Sequence, residues 1–222
     1  MTIPVLAILF IVTLVFLTIS RLAVERIEHN HHGQRTDFFK RYPVYHDDIV
    51  FLGDSITDGG CWEELFPGVP LKNRGINADT STGVLRRMDD ILVNHPKAIF
   101  ILIGTNDLPF FQYRHDDDIL STYAEILKRC KTESPSTKVF VQSILPRHKR
   151  FARRIQGLNT RLQELARQYD DTYIDLYSNF AGEFGELKKE LTNDNLHLMA
   201  DGYARWVKIL QPYIDSLTIK SK

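Results

Sequence analysis

The sequence predicts an α/β fold: a three-layer α/β/α sandwich around a mostly parallel five-stranded sheet, preceded by one transmembrane helix. Three observations predict it. Beyond residue 46, apolar runs of strand length alternate with longer amphipathic stretches, the pattern of βαβ units. Those runs are almost continuously apolar, as strands covered on both faces require. Finally, Ile3 to Ile19 is an uninterrupted apolar run.

That run, with its flanks, reaches the roughly 17–25 residues that cross a bilayer as a helix. A cleaved signal peptide is the main rival. Against it, the apolar stretch is long, no Lys or Arg precedes it, and Thr18-Ile19-Ser20 is a poor cleavage site. Residues 1–21 are therefore read as an uncleaved anchor and 22–45 as a polar juxtamembrane linker. Residues 46–222 form the domain. The first turns after Arg21 continue the apolar helix into water in one version of this reading. In the domain, candidate strands are Ile49–Leu52, a weaker Leu71–Asn73, Ala98–Ile103, Val139–Ser143 and Tyr173–Leu176. Amphipathic spacing predicts helices over Thr82–Asn94, Asp117–Glu133, Arg153–Gln168 and Ala200–Leu217. Asn94-His95-Pro96 and Ser134-Pro135-Ser136 punctuate helix from strand.

Composition narrows the functional classes. A chain of 222 residues, 43% hydrophobic and 25% charged, is long enough for one α/β domain with a sizeable core. Lys plus Arg equals Asp plus Glu at 28 each, so no net field points to nucleic acid. Cys61 and Cys130 are too few for a disulfide framework and read as partly buried free thiols. No Gly-rich phosphate loop, zinc-spaced Cys/His set or dinucleotide fingerprint occurs, so no cofactor and no metal are implied. His29, His31 and His32 cluster in the linker; adjacent histidines there are read as solvated rather than as metal ligands.

Four short blocks carry chemistry. Gly53-Asp54-Ser55-Ile56 follows the apolar run Asp48–Leu52, which places a serine hydroxyl where a buried strand ends. In open α/β sheets, ligands bind outside the carboxyl ends of the strands. Downstream come Gly75 in Asn73–Asn77, then Gly104-Thr105-Asn106-Asp107, then Asp194-Asn195-Leu196-His197. Taken in this order, the blocks resemble the SGNH (GDSL-type) hydrolase superfamily over about Asp48 to Ile214. Trp62, Leu65-Phe66, Asp79-Thr80, Leu145-Pro146-Arg147 and Gly202-Tyr203-Ala204 make the chain most similar to the platelet-activating-factor acetylhydrolase catalytic-subunit branch. The resemblance implies a flavodoxin-like sheet of order 2-1-3-4-5. It also implies an oxyanion hole of the Ser55 N–H, the Gly75 N–H and the Asn106 amide.

Ester cleavage needs a nucleophile, a base and oxyanion donors. Ser55 is the candidate nucleophile and His197 the candidate base. Asp194, three residues before His197, is placed to accept the other imidazole N–H and fix the tautomer, although it also fits a turn cap. His46, His95, His115 and His148 lack the Asp-x-x-His setting, as do the three linker histidines. Cys61 has no neighbouring base and is a poor nucleophile candidate. Asp54, Asp58 and Asp107 read as acceptors that hold loops. Trp62, Leu108, Phe110, Phe111, Leu145, Pro146 and Leu196 are candidates for either pocket lining or packing. Arg147 suits an anionic group or a surface ion pair.

The expected function is therefore a membrane-anchored, cofactor-free serine esterase cleaving short acyl esters, acetyl above all. Its substrate would be a small acyl ester, a glycan ester or a lipid. A lysophospholipase or thioesterase for longer chains, and an acyltransferase to a glycan or lipid hydroxyl, are the enzymatic rivals. A silent binding module would need a broken motif, whereas all five residues are present. Arg21, Arg26, Arg35, Lys40 and Arg41 follow the span, so the positive-inside rule leans toward a cytoplasmic domain. The family habit of acting on exported glycans and lipids pulls the other way. The oligomeric state is not legible in the sequence.

Overall fold

The computed structural model describes residues 2–109 and 113–218, with side chains from residue 7 onward. Phe110 and Phe111, both pocket candidates, lie outside the described residues. Strands β1 (Ile49–Gly53), β2 (Leu71–Gly75), β3 (Ala98–Leu102), β4 (Lys138–Gln142) and β5 (Thr172–Ile174) form one sheet of order β2-β1-β3-β4-β5. Every pairing is parallel, and Gly53 sits in register with Gly75 on one side and Leu102 on the other. The expected five-stranded parallel sheet and its order are thus present.

Period-two alternation divides the strand side chains between two cores. Val50, Leu52, Ile99, Ile101, Val139 and Val141 face helices α4 (Ser81–Arg86), α5 (Asp89–Leu92), α6 (Asp116–Glu133) and α7 (Ala152–Gln168). Ile49, Phe51, Phe100 and Phe140 face the other way, onto α3 (Trp62–Leu65), α8 (Tyr177–Phe180) and α9 (Ala200–Thr218). Phe100 and Phe140 stack with centroids 4.3 Å apart, and Trp62 meets Phe51 edge-on at 4.4 Å. Trp62 is 3% exposed, while Leu108 and Leu145 are 2% exposed, so these three pocket candidates are packing residues.

Two expectations require correction. The single helix expected over residues 82–94 breaks into α4 and α5. Arg87, at the break, turns inward, where its Nε meets Asp79 at 2.9 Å and its Nη2 donates to the Gly53 carbonyl at 3.0 Å. The stretch 22–45 is not a solvated connector along its length: helix α1 runs unbroken from Thr2 to Arg41. Phe39 is 4% exposed beneath the Arg35 and Arg74 guanidiniums, and Arg74 donates to the Tyr42 carbonyl at 2.6 Å. The last turns of α1 are held by these long-range contacts, which local polarity does not reveal. The N-terminal part of α1 is long and apolar enough to cross a membrane, with mean hydropathy 2.4, and its side chains lie exposed.

Cys130 is buried on α6, whereas Cys61 is exposed; both are free thiols. The expectation of partial burial therefore fails for each, in opposite directions.

Candidate active site

The carboxyl ends of β1, β2 and β3 carry the loops that meet here. After β1, the chain turns at Asp54 into a one-turn helix, α2 (Ser55–Asp58). Asp54 caps it, accepting the Ile56 N–H at Oδ1 (3.0 Å). Ser55 thus opens the helix, and its N–H belongs to the first turn, where backbone donors lack intrahelical partners. Tyr203 on α9 donates to the Ile56 carbonyl at 2.8 Å and so ties α2 to that helix. That support was missed in the sequence, where only its place after Gly202 marked it.

Ser55 Oγ lies 2.9 Å from His197 Nε2. His197 Nδ1 lies 2.6 Å from Asp194 Oδ2. The Asp194 Oδ1 accepts the backbone N–H of Leu196 (2.9 Å) and of His197 (2.8 Å), so the aspartate also caps its own turn. Asp194 thus makes the imidazole contact and the turn-capping contacts at once. Partial burial opposes its ionisation. The imidazole and the two backbone donors outweigh that and bring the carboxyl down to about 2. An ionised Asp194 keeps the proton on Nδ1 and leaves Nε2 as the acceptor facing Ser55.

The candidate oxyanion donors sit on the neighbouring strand ends, with their hydrogens partly committed. Gly104, at φ 123°, turns the chain after β3 in a conformation that L side chains rarely adopt, and the 3-10 turn Thr105–Asp107 follows. Asn106 Nδ2 donates to the Asp79 carbonyl at 2.9 Å. An amide carries two hydrogens, so one remains for a ligand. Gly75 differs. Its N–H is donated to Asn73 Oδ1 at 2.9 Å, while the Asn73 amide binds the Asp58 carbonyl at 3.0 Å. The structure thus does not leave the Gly75 donor free, contrary to the simplest form of the expectation. A Cβ on Gly75 would fall 2.2 Å from the Asp58 nitrogen, so close packing against α2 is itself a reason for glycine.

The acids read as loop holders have partners. Asp107 accepts the Ser81 N–H at 2.9 Å and its hydroxyl at 2.8 Å; Asp58 meets Arg35 at 3.0 Å. His31 and His32, expected in solvent, lie 3.9 Å from Asp58 and Asp79. Among the described residues no group of three or more His, Cys, Asp or Glu is placed to hold a metal. Arg147 forms no surface ion pair among the described residues. It donates to the Thr105 carbonyl at 2.9 Å and lies over Phe151 at 4.4 Å.

Asp54 yields a prediction about stability. Burial, opposed by the Ile56 N–H and reinforced by Asp79 and Asp107, pushes its carboxyl from 3.8 up to about 7. The folded value exceeds the unfolded one. The contribution to stability is therefore complete below 3.8 and is lost as pH rises through about 7. In Asp54→Asn that component should vanish, so the variant's thermal midpoint falls less than the wild type's between those limits. Parallel midpoint-versus-pH curves for the two proteins would contradict it.

A parallel 2-1-3-4-5 sandwich with a serine–imidazole–carboxylate chain at its strand ends belongs to the hydrolases that act on carboxylic esters. Over residues 51–205 the sequence matches the GDSL-like lipase/acylhydrolase family, and the chain belongs to that family. It is 28% identical to human platelet-activating factor acetylhydrolase IB subunit alpha2, with 77% of each chain covered. A Streptococcus pneumonia structure with the provisional name of a platelet activating factor is 27% identical. It covers 89% of this chain and 99% of its own, at a TM-score of 0.81. A GDSL-like lipase from Bacteroides thetaiotaomicron is 25% identical, covering 77% of this chain and 88% of its own, with a TM-score of 0.69.

Proposed function

We propose that this hydrolase is a membrane-anchored serine esterase that removes short acyl groups, acetyl in particular, from an alcohol. The observation that carries the reading is the unbroken relay from Ser55 through His197 to Asp194, with contacts of 2.9 and 2.6 Å. Ser55 Oγ attacks the ester carbonyl carbon while its proton passes to His197 Nε2. The negative oxygen is met by the Ser55 N–H and the second Asn106 hydrogen. The Gly75 N–H joins them once the Asn73 side chain that accepts it rotates away. Collapse breaks the bond to the alcohol, which leaves with the proton from His197. Water then repeats the sequence on the acyl-serine, releasing the carboxylic acid and restoring Ser55.

The acetyl preference draws support from the similarity to acetylhydrolases, and the anchor from the exposed apolar turns of α1. A series of p-nitrophenyl esters from acetyl to palmitoyl tests the chain-length reading. Each CH₂ that fits an apolar pocket adds up to about 0.8 kcal/mol of binding. The expected kcat/KM is highest at acetyl or butyryl. A steady climb toward palmitoyl would support the longer-chain acylhydrolase instead. Product analysis with an added alcohol separates hydrolysis from acyl transfer.

A further inference from the structure

Helix α1 meets the domain in an order that fixes its direction. His31, His32 and Arg35 touch Asp58, Asp79 and the Gly75 carbonyl, all at or beyond the carboxyl ends of β1 and β2. Phe39, four residues further along α1, lies under Arg74, one residue back along β2, at 4.5 Å. The Val44 carbonyl receives Asn94 Nδ2 at 2.8 Å, and β1 then starts at Ile49, at the opposite edge of the sheet. Thus α1 runs antiparallel to β1 and β2. Followed backward from Arg35, it leaves the sheet past the edge that holds Ser55, Asn106 and His197, and it stays helical to Thr2.

From this geometry we propose that the catalytic edge of the domain faces the bilayer, so that the enzyme takes its ester from a molecule displayed at the membrane surface. The inference rests on the anchor reading above and deepens it. At 1.5 Å per residue, the stretch from Ile19 to His31 spans roughly 18 Å. The headgroup layer occupies about 5–7 Å of that. A gap of about 11–13 Å is left, somewhat more than the screening length of about 8 Å at physiological salt. A groove of about 610 Å³ opens here between α1 and the loop at Asn77–Thr80, beside the Asp79 whose carbonyl holds Asn106.

Charge on the same edge fits this orientation. Lys149, Arg150 and Arg153 stand exposed where β4 leads into α7, and none has an ion-pair partner among the described residues. They lie on the face that would look toward anionic headgroups, which attract basic side chains within a screening length.

The test uses the full chain in vesicles of phosphatidylcholine and phosphatidylglycerol, with an acceptor dye on the lipid headgroups. In a Cys61→Ser background, a donor dye is placed at His148→Cys on the catalytic edge or at Lys97→Cys on the opposite edge. Energy transfer should be clearly stronger from position 148. Equal or weaker transfer from 148 overturns the orientation, and neither label depends on Ser55 being the nucleophile. A second measurement compares turnover of a lipid-anchored acetyl ester in those vesicles with that of p-nitrophenyl acetate. In the triple variant Lys149→Gln, Arg150→Gln, Arg153→Gln the ratio should fall several-fold. An unchanged ratio would remove the basic edge from membrane contact.

Discussion

Replacing His197 by alanine is expected to lower kcat by about 10⁴–10⁶, with KM changed little, because the nucleophile, base and orienting acid act as one unit. Among the described residues the imidazole is the only acceptor placed on Ser55 Oγ, and without it the hydroxyl must attack with its proton still attached. Asp194→Asn should cost less, since the imidazole remains and loses only its fixed tautomer. The Asp194 Oδ1 contacts to two backbone N–H groups are reproduced by an asparagine oxygen, so the turn should survive. A His197→Ala protein with a loss under tenfold would mean that another group takes the proton.

Asn106→Ala is the second large effect, about 10²–10³ in kcat, with a small change in KM, because an oxyanion donor acts on the transition state more than on the substrate. The geometry adds a condition. Asn106 also holds the Asp79 carbonyl, and Asp79 in turn pairs with buried Arg87, so part of the loss would come from movement of that loop. Asn106→Asp removes both contributions at once. The residue keeps its size but loses both amide hydrogens and gains negative charge, so it should be at least as inactive as alanine. A kcat within a few-fold of wild type in folded Asn106→Ala would take the amide out of the oxyanion hole.

The legible parts of this fold are those decided locally. β1, β3 and β4 read clearly because their side chains are covered on both faces, leaving apolar runs without polar interruption. β2 read weakly because Lys72, Asn73 and Arg74 interrupt it, as an edge strand allows. The break between α4 and α5 was hidden because Arg87 is drawn inward by Asp79 and Gly53, eight and 34 residues away. The helical end of α1 was hidden for the same reason, since Arg74 and Asp58 supply its contacts. In the site, Asp194 and His197 were legible because a short turn joins them. The capture of the Gly75 N–H by Asn73 had a visible signal in an asparagine two residues before a glycine, the spacing of a side-chain turn. That signal competes with the oxyanion reading of the same atom, and sequence alone does not rank them.

In the proposed reaction Ser55 becomes acylated in every turnover. Intact-protein and peptide mass spectrometry after reaction with a fluorophosphonate probe tests it most directly. A single adduct is expected on the peptide containing Ser55, absent from Ser55→Ala and formed orders of magnitude more slowly in His197→Ala. An adduct on the exposed Cys61 that persists in Ser55→Ala, or no adduct in a protein still hydrolysing esters, would contradict it.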